Sequence, residues 1–161
     1  MGKITKWVIF DLDGTLADIE ERREIARKPD GKINWPVFFD PKNIELDKPN
    51  HPVIKMAQVL AATGHGIAIF SGRSKATKDA TRKWLADNDV PFNLLKMRPT
   101  QHPFAYMPDE KLKQGWFDEI FADNEDRDED EVICVFDDRQ KVVDMWRERG
   151  LTCMQVAPGN F

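Results

Sequence analysis

The sequence predicts an α/β fold: a parallel sheet with helices on both faces, giving three α/β/α layers. Short apolar runs of strand length alternate with stretches of helical spacing along the chain. Several of these runs end directly in carboxylates, arginines or a serine. At 161 residues, with 41% hydrophobic and 32% charged side chains, one domain from 1 to 161 with a real core is expected.

Trp7-Val8-Ile9 reads as the first buried strand and runs into Phe10-Asp11-Leu12-Asp13-Gly14-Thr15. A lone Asp-x-Asp is usually a solvated turn. Behind an apolar strand, with Gly14 to allow a sharp turn and Thr15 to add a hydroxyl and an N–H, it becomes a candidate site for a metal ion and a phosphoryl group. Residues 18–25 can form one or two helical turns. Arg22 and Arg23 there are either surface partners of neighbouring glutamates or phosphate ligands reaching back to Asp11, and pattern alone favours the former. Pro29-Asp30-Gly31 is a turn. Trp35, Phe38 and Phe39 are expected to cover the core, with a base-stacking platform as the alternative. Asp47-Lys48-Pro49-Asn50 reads as a loop.

His51 to Thr63 is an amphipathic helix closed by Gly64, with Pro52 near its start. Gly66 to Phe70 is the second strand, leading into Ser71-Gly72-Arg73-Ser74. A helix spans Lys75 to Asn88 and a third strand Phe92 to Met97, followed at once by Arg98. Pro99 to Pro108 is irregular. On the helix from Asp109 to Ile120, Asp109 and Lys113 stand at i and i+4, the spacing of an ion pair. Val132 to Phe136 is the fourth strand and ends in Asp137-Asp138-Arg139. A helix from Gln140 to Arg149, closed by Gly150, and a fifth strand from Leu151 to Val156 complete the alternation.

Charge narrows the function classes. A net charge of −4 argues against a general nucleic-acid binder. The charge is uneven: Asp123 to Glu131 holds seven acids and Arg127, so the remainder is +2. That run is expected to be a solvated loop, since it lacks the calcium-loop pattern. Cys134 and Cys153 lie in apolar strands, as expected for buried thiols in a reducing cytosol. No C-x-x-C or paired histidines point to zinc. No apolar run reaches the roughly 20 residues of a membrane span, and no signal peptide is evident.

Ligands of parallel sheets bind at the carboxyl ends of the strands. Asp11 and Asp13, Ser71 and Arg73, Arg98, and Asp137 and Asp138 all follow strands, so they can converge on one pocket. Clustered carboxylates without histidine or cysteine suit Mg²⁺, and cations beside them suit an anion, a pattern that points to phosphoryl transfer. There is no G-x-G-x-x-G and no P-loop, so a carboxylate is the expected nucleophile.

FDLDGT, FSGR, a helical lysine and FDDR together resemble the haloacid dehalogenase superfamily of phosphatases. The resemblance narrows to the 3′-phosphatase domain of phage-type polynucleotide kinase-phosphatases through SGRSKATKDATRKWL, the Met97-Arg98 pair and FDDRQKVVDMWRERGLTCMQVAPGNF. It implies a Rossmann-like sheet with a minimal cap, the insertion at about 18–50. It implies Asp11 as nucleophile and Asp13 as acid and then base, with Ser71 and Lys113 completing the catalytic set. Mg²⁺ would lie among Asp11, Asp13 through its backbone carbonyl, Asp137 and Asp138. Thr15, Arg22, Arg23, Gly72, Arg73, Arg98 and Asp109 would line the substrate side, Arg22 falling where the family places a substrate arginine. It also implies a bacterial or phage-infected cell and a separate kinase or ligase partner.

About thirty residues between the first two strands are too few for a folded cap domain. An open site suits bulky substrates. The expected reaction is removal of 3′-phosphate from DNA or RNA ends, with 2′,3′-cyclic phosphate as a further candidate. Two alternatives remain: a phosphatase of nucleotides or sugar phosphates, and a non-catalytic, receiver-like phosphate-binding module, against which Asp13 speaks.

Overall fold

A computed structural model describes residues 2–161. Its sheet is built from β1 (Lys6–Phe10), β4 (Gly66–Ser74), β5 (Leu94–Arg98), β6 (Glu131–Asp137) and β7 (Cys153–Gln155). The order is β5-β4-β1-β6-β7 and every pairing is parallel. Helices α4 (His51–Ala62), α5 (Lys78–Asp87), α6 (Asp109–Phe117) and α7 (Gln140–Glu148) form the crossovers. Parallel neighbours need such crossovers, which is why strand and helix alternate in the sequence. The three-layer α/β expectation therefore holds.

The period of two along β1 builds two cores. Val8 and Phe10 face α4 and α5, packing on Ile54, Ala57, Trp84 and Leu85. Trp7 and Ile9 face α6 and α7, packing on Leu112, Trp116, Val142 and Trp146. Phe10 also stacks on Phe136 with ring centroids 4.7 Å apart. Buried on both sides, β1 is held rigidly, and its end positions Asp11.

The segment between β1 and β4 contains a two-residue ribbon, β2 (Ala17–Asp18) paired antiparallel with β3 (Lys48–Pro49). Short helices α1 (Glu20–Ala26), α2 (Trp35–Phe38) and α3 (Pro41–Ile44) lie between these strands. Ile19, Ala26 and Phe38 join the core shared by α4 and α5, so this insertion packs onto the sheet's own core. Phe38 is buried as expected, but Trp35 is 59% exposed and stacks on Phe39 instead of covering the core.

Several boundaries differ from the sequence reading, among them that β5 takes in Arg98 and β7 shortens to Cys153–Gln155. β4 continues past Phe70 to Ser74, with a register shift between Ser71 and Ser74 against β5. Such an irregularity re-aims side chains, and here it turns Arg73 inward. The helix after Asp109 changes to a wider π-type turn over Asp118–Ala122. Residues expected to be a loop at Asp47 to Asn50 contain β3. Cys134 and Cys153 are buried free thiols. No helix among the described residues is long and apolar enough to cross a membrane.

Candidate active site

Asp11 follows β1 directly, and its backbone N–H donates to Phe136 O at 2.9 Å, tying the end of β1 to β6. Its carboxylate accepts from Lys113 Nζ at 2.8 Å and Thr15 Oγ1 at 3.0 Å. Lys113, brought in by α6, also donates to Asp137 Oδ2 at 2.9 Å. The other oxygen of Asp137 accepts the backbone N–H of Asp138 at 2.8 Å. Asp11, Asp137 and Asp138 are all buried and offer oxygens within 4.8 Å of one another. Gly14, at φ +85°, passes so close to Asp138 that a Cβ would stand 2.1 Å from Oδ2. Both the turn and the approach require glycine here.

Three carboxylates against one ammonium leave two negative charges uncompensated. Burial and then the charge of Asp137 push Asp11 well above the ordinary carboxylate range, with Lys113 opposing. Asp138 is raised too, by burial first. Burial works against the charge on Lys113, but Asp11 and Asp137 outweigh it and raise its pKa. Unrelieved repulsion among oxygen donors fits a hard divalent cation of the Mg²⁺ kind.

The Asp13 side chain is not in this group. Only its backbone remains available for the metal role, as the resemblance implies. Its Oδ1 accepts from Arg22 Nη2 at 2.8 Å and Arg73 Nε at 2.9 Å. No hydrogen bond reaches its Oδ2 among the described residues. Behind it lies fully buried Asp47, held by Arg22 at 3.0 and 2.9 Å and by Arg73 at 2.9 Å. Arg22 also donates to Phe38 O, and its guanidinium lies 4.3 Å from the Phe38 ring. Arg73 adds Thr81 Oγ1 at 3.1 Å. Against the cost of burial, Arg73 and Arg22 lower Asp13 to about 2. Burial pushes Asp47 up to about 6, with Arg22 opposing.

Ser71 is buried on β4 and its Oγ accepts the Arg73 N–H at 3.1 Å, its own proton making no hydrogen bond among the described residues. Gly72 packs against Asp109: a Cβ there would meet Asp109 Oδ1 at 2.7 Å. The i, i+4 pairing of Asp109 with Lys113 does not form. Lys113 turns into the sheet, while Asp109 binds Arg98 and, at 3.0 Å, Arg139. Arg98 donates to the carbonyls of Gly72 and Met107, so in this structure it clamps the 99–108 loop. Arg23 stands apart from Arg22, beside Glu20 and over the ring of Phe161. The sequence reading missed Asp47 and Arg139 as parts of this region. Arg139 follows the strand-end aspartates directly, a signal that could have marked it. Asp47 lies just before the two-residue strand β3, with no pattern to betray it.

A parallel sheet with a buried carboxylate behind its central strand, a lysine on it and two more aspartates on the next strand is the arrangement of a haloacid dehalogenase-type phosphatase. A haloacid dehalogenase-like hydrolase from Streptococcus pneumoniae shares this fold at TM-score 0.63, with 14% identity over 94% of this chain and 84% of that one. Residues 5–161 match the family described as the polynucleotide kinase PNKP phosphatase domain, and the chain belongs to that family. It is similar to a chain in the Pnkp1/Rnl/Hen1 RNA repair complex: TM-score 0.76, 32% identity, covering 98% of this chain and 44% of that one. An Autographa californica nuclear polyhedrosis virus protein named as a bifunctional polynucleotide kinase/RNA ligase is 31% identical over 149 residues, 91% of this chain and 18% of that protein. The chain thus spans less than half the length of these relatives.

Proposed function

We propose that this phosphatase domain removes 3′-phosphates from DNA or RNA ends through an aspartyl-phosphate on Asp11, with Mg²⁺ as cofactor. A 2′,3′-cyclic phosphate is a second substrate in this reading, and kinase and ligase activities act alongside it, as the name of the viral relative suggests. The observation that carries the reading is the division of labour between the two aspartates. Asp11 lies in the buried, under-compensated carboxylate group. Asp13 is anchored through one oxygen and presents the other.

Asp11, Asp137 and Asp138, with the backbone carbonyl of Asp13, would hold the Mg²⁺. When bound, the ion neutralises phosphoryl oxygens and keeps Asp11 ionised. Asp11 attacks phosphorus and the bond to the 3′-oxygen breaks. Asp13 Oδ2 gives that oxygen its proton, then takes one from the water that hydrolyses the aspartyl-phosphate. Asp11 is regenerated and inorganic phosphate leaves. Ser71 donates to the phosphoryl oxygens and Lys113 balances their charge. Thr15 orients Asp11.

Arg22 and Arg73 act here by fixing Asp13. Their charge keeps it ionised in the resting site, and the negative charge of an arriving phosphate ester restores its proton affinity. The insertion packs down on the sheet, leaving the Asp13 side chain 22% exposed. A chain end can therefore reach it.

The test is phosphate release, with Mg²⁺ and with chelator, from matched oligonucleotides bearing 3′-, 5′- or 2′,3′-cyclic phosphate and from 3′-mononucleotides. Mg²⁺-dependent release from the 3′-phosphorylated oligonucleotide is expected. Release from mononucleotides alone would sink the assignment to nucleic-acid ends.

A further inference from the structure

Phe161 is half exposed, at 50%, yet firmly placed. Gly159 lies so tightly on the Asp138–Arg139 backbone that a Cβ would meet Asp138 O at 2.1 Å. Gly159 O accepts the N–H of Gln140 at 2.8 Å, and Phe161 O accepts Arg139 Nε at 2.7 Å. These contacts pin the segment to the residues that follow the carboxylate group. Two guanidiniums lie near the Phe161 ring: Arg23, from the insertion, at 4.9 Å and Arg139, which follows β6, at 5.6 Å from its centroid. The backbone N–H of Arg139 reaches Asp137 Oδ1 at 3.3 Å, so Arg139 is the residue shared by the ring and the carboxylate group. Both arginines are about one-third exposed or less, and both keep donors unused among the described residues. An exposed aromatic with two cations beside it, joined through Arg139 to the carboxylate group, suits a base face beside a phosphodiester.

We propose that Phe161 stacks on the nucleobase of the 3′-terminal nucleotide, while Arg23 and Arg139 hold the phosphodiester that precedes it. This rests on the 3′-end reading and names what would make the site prefer a chain end to a bare phosphate ester. It also assigns a task to Arg139, which the chemistry leaves unused, and separates Arg23 at the mouth from Arg22 behind Asp13.

The experiment is a cycle of two enzymes and two substrates. Wild type and Phe161→Ala are each given 3′-phosphorylated single strands that end in a normal nucleotide or in an abasic sugar. Losing the base is expected to lower kcat/KM about tenfold or more for wild type, and to cost Phe161→Ala almost nothing. Phe161→Leu, which keeps apolar bulk to protect folding, should behave like the alanine variant, and Phe161→Trp should restore the penalty. In a salt titration, Arg23→Gln should reduce the slope of log kcat/KM against log salt by about 0.7.

An equal abasic penalty in wild type and Phe161→Leu would overturn the stacking role, as would no penalty in wild type. An unchanged salt slope would overturn the phosphodiester contact. No release from either strand by wild type would instead remove the 3′-end assignment itself, and this inference with it.

Discussion

Two clusters of buried charge stand side by side behind β1, and they are balanced differently. Around Asp11, three carboxylates meet one lysine; burial and then the charge of Asp137 raise Asp11 above the ordinary carboxylate range, and burial raises Asp138. Around Asp13, two carboxylates meet two arginines in a closed network with Asp47 behind. The first group is incomplete without a cation. The second is satisfied by protein alone and works as a mount that aims one free oxygen. Burial alone does not distinguish them. Charge balance does, and it says which group awaits a ligand.

The sharpest way to break the contrast is through turnover. Asp11→Asn is expected to lower kcat for a 3′-phosphorylated strand by at least about 10⁴-fold, while raising the metal-free melting temperature because a repulsive charge is gone. Retained turnover would end the covalent reading. Next comes Asp47→Ala, which leaves two buried guanidiniums short of a partner. Denaturant unfolding should show a loss of about 3–5 kcal/mol. Asp138→Asn, a removal of the same kind from the under-compensated group, should leave metal-free stability equal or higher, and equal losses at the two sites would abolish the distinction.

Mg²⁺ should stabilise the wild type by about 2.7 kcal/mol at a hundred times its dissociation constant, read as a rise in melting temperature that chelator reverses. Asp137→Asn should shrink that rise. The smallest effect concerns acid. Asp13 is lowered to about 2 in the folded protein, so its contribution is complete above the unfolded value near 3.8 and is lost as pH falls towards 2. That amounts to about 2 kcal/mol, and Asp13→Asn should flatten this limb in metal-free protein. Asp138, raised instead, carries the opposite sign: its repulsion is relieved as pH falls through its raised value, and the gain is complete near 3.8, so Asp138→Asn should remove a rise in stability above the Asp13 limb.

What the sequence revealed follows from range. Strand and helix periods are local, and the aspartates that follow strands sit where a parallel sheet gathers its ligands. Asp11 and Asp137 could therefore be placed together from the sequence, and the family resemblance added Lys113. The arginine network could not. Arg22 lies among glutamates that offer it nearby partners, yet it turns to Asp13 and to Asp47, 25 residues further on. Asp109 and Lys113 show the converse. Their spacing is that of a helical pair, and each is drawn away by stronger partners on other elements. The extension of β4 to Ser74 depends on its pairing with β5, which no local pattern displays.

The placement of β1 in the middle of the sheet bears on how the protein comes into being. Its register is set on one side by residues 66–69 and on the other by residues 131–136. The lysine that meets Asp11 lies 102 positions away. Nothing near the first motif in the chain can assemble the reacting centre. A ribosome must deliver residue 137 before Asp11 has its neighbours, and such distant parallel pairings form slowly. The nascent phosphatase domain has no assembled site until residue 137 has been made, and in refolding its activity should return with the last spectroscopic phase.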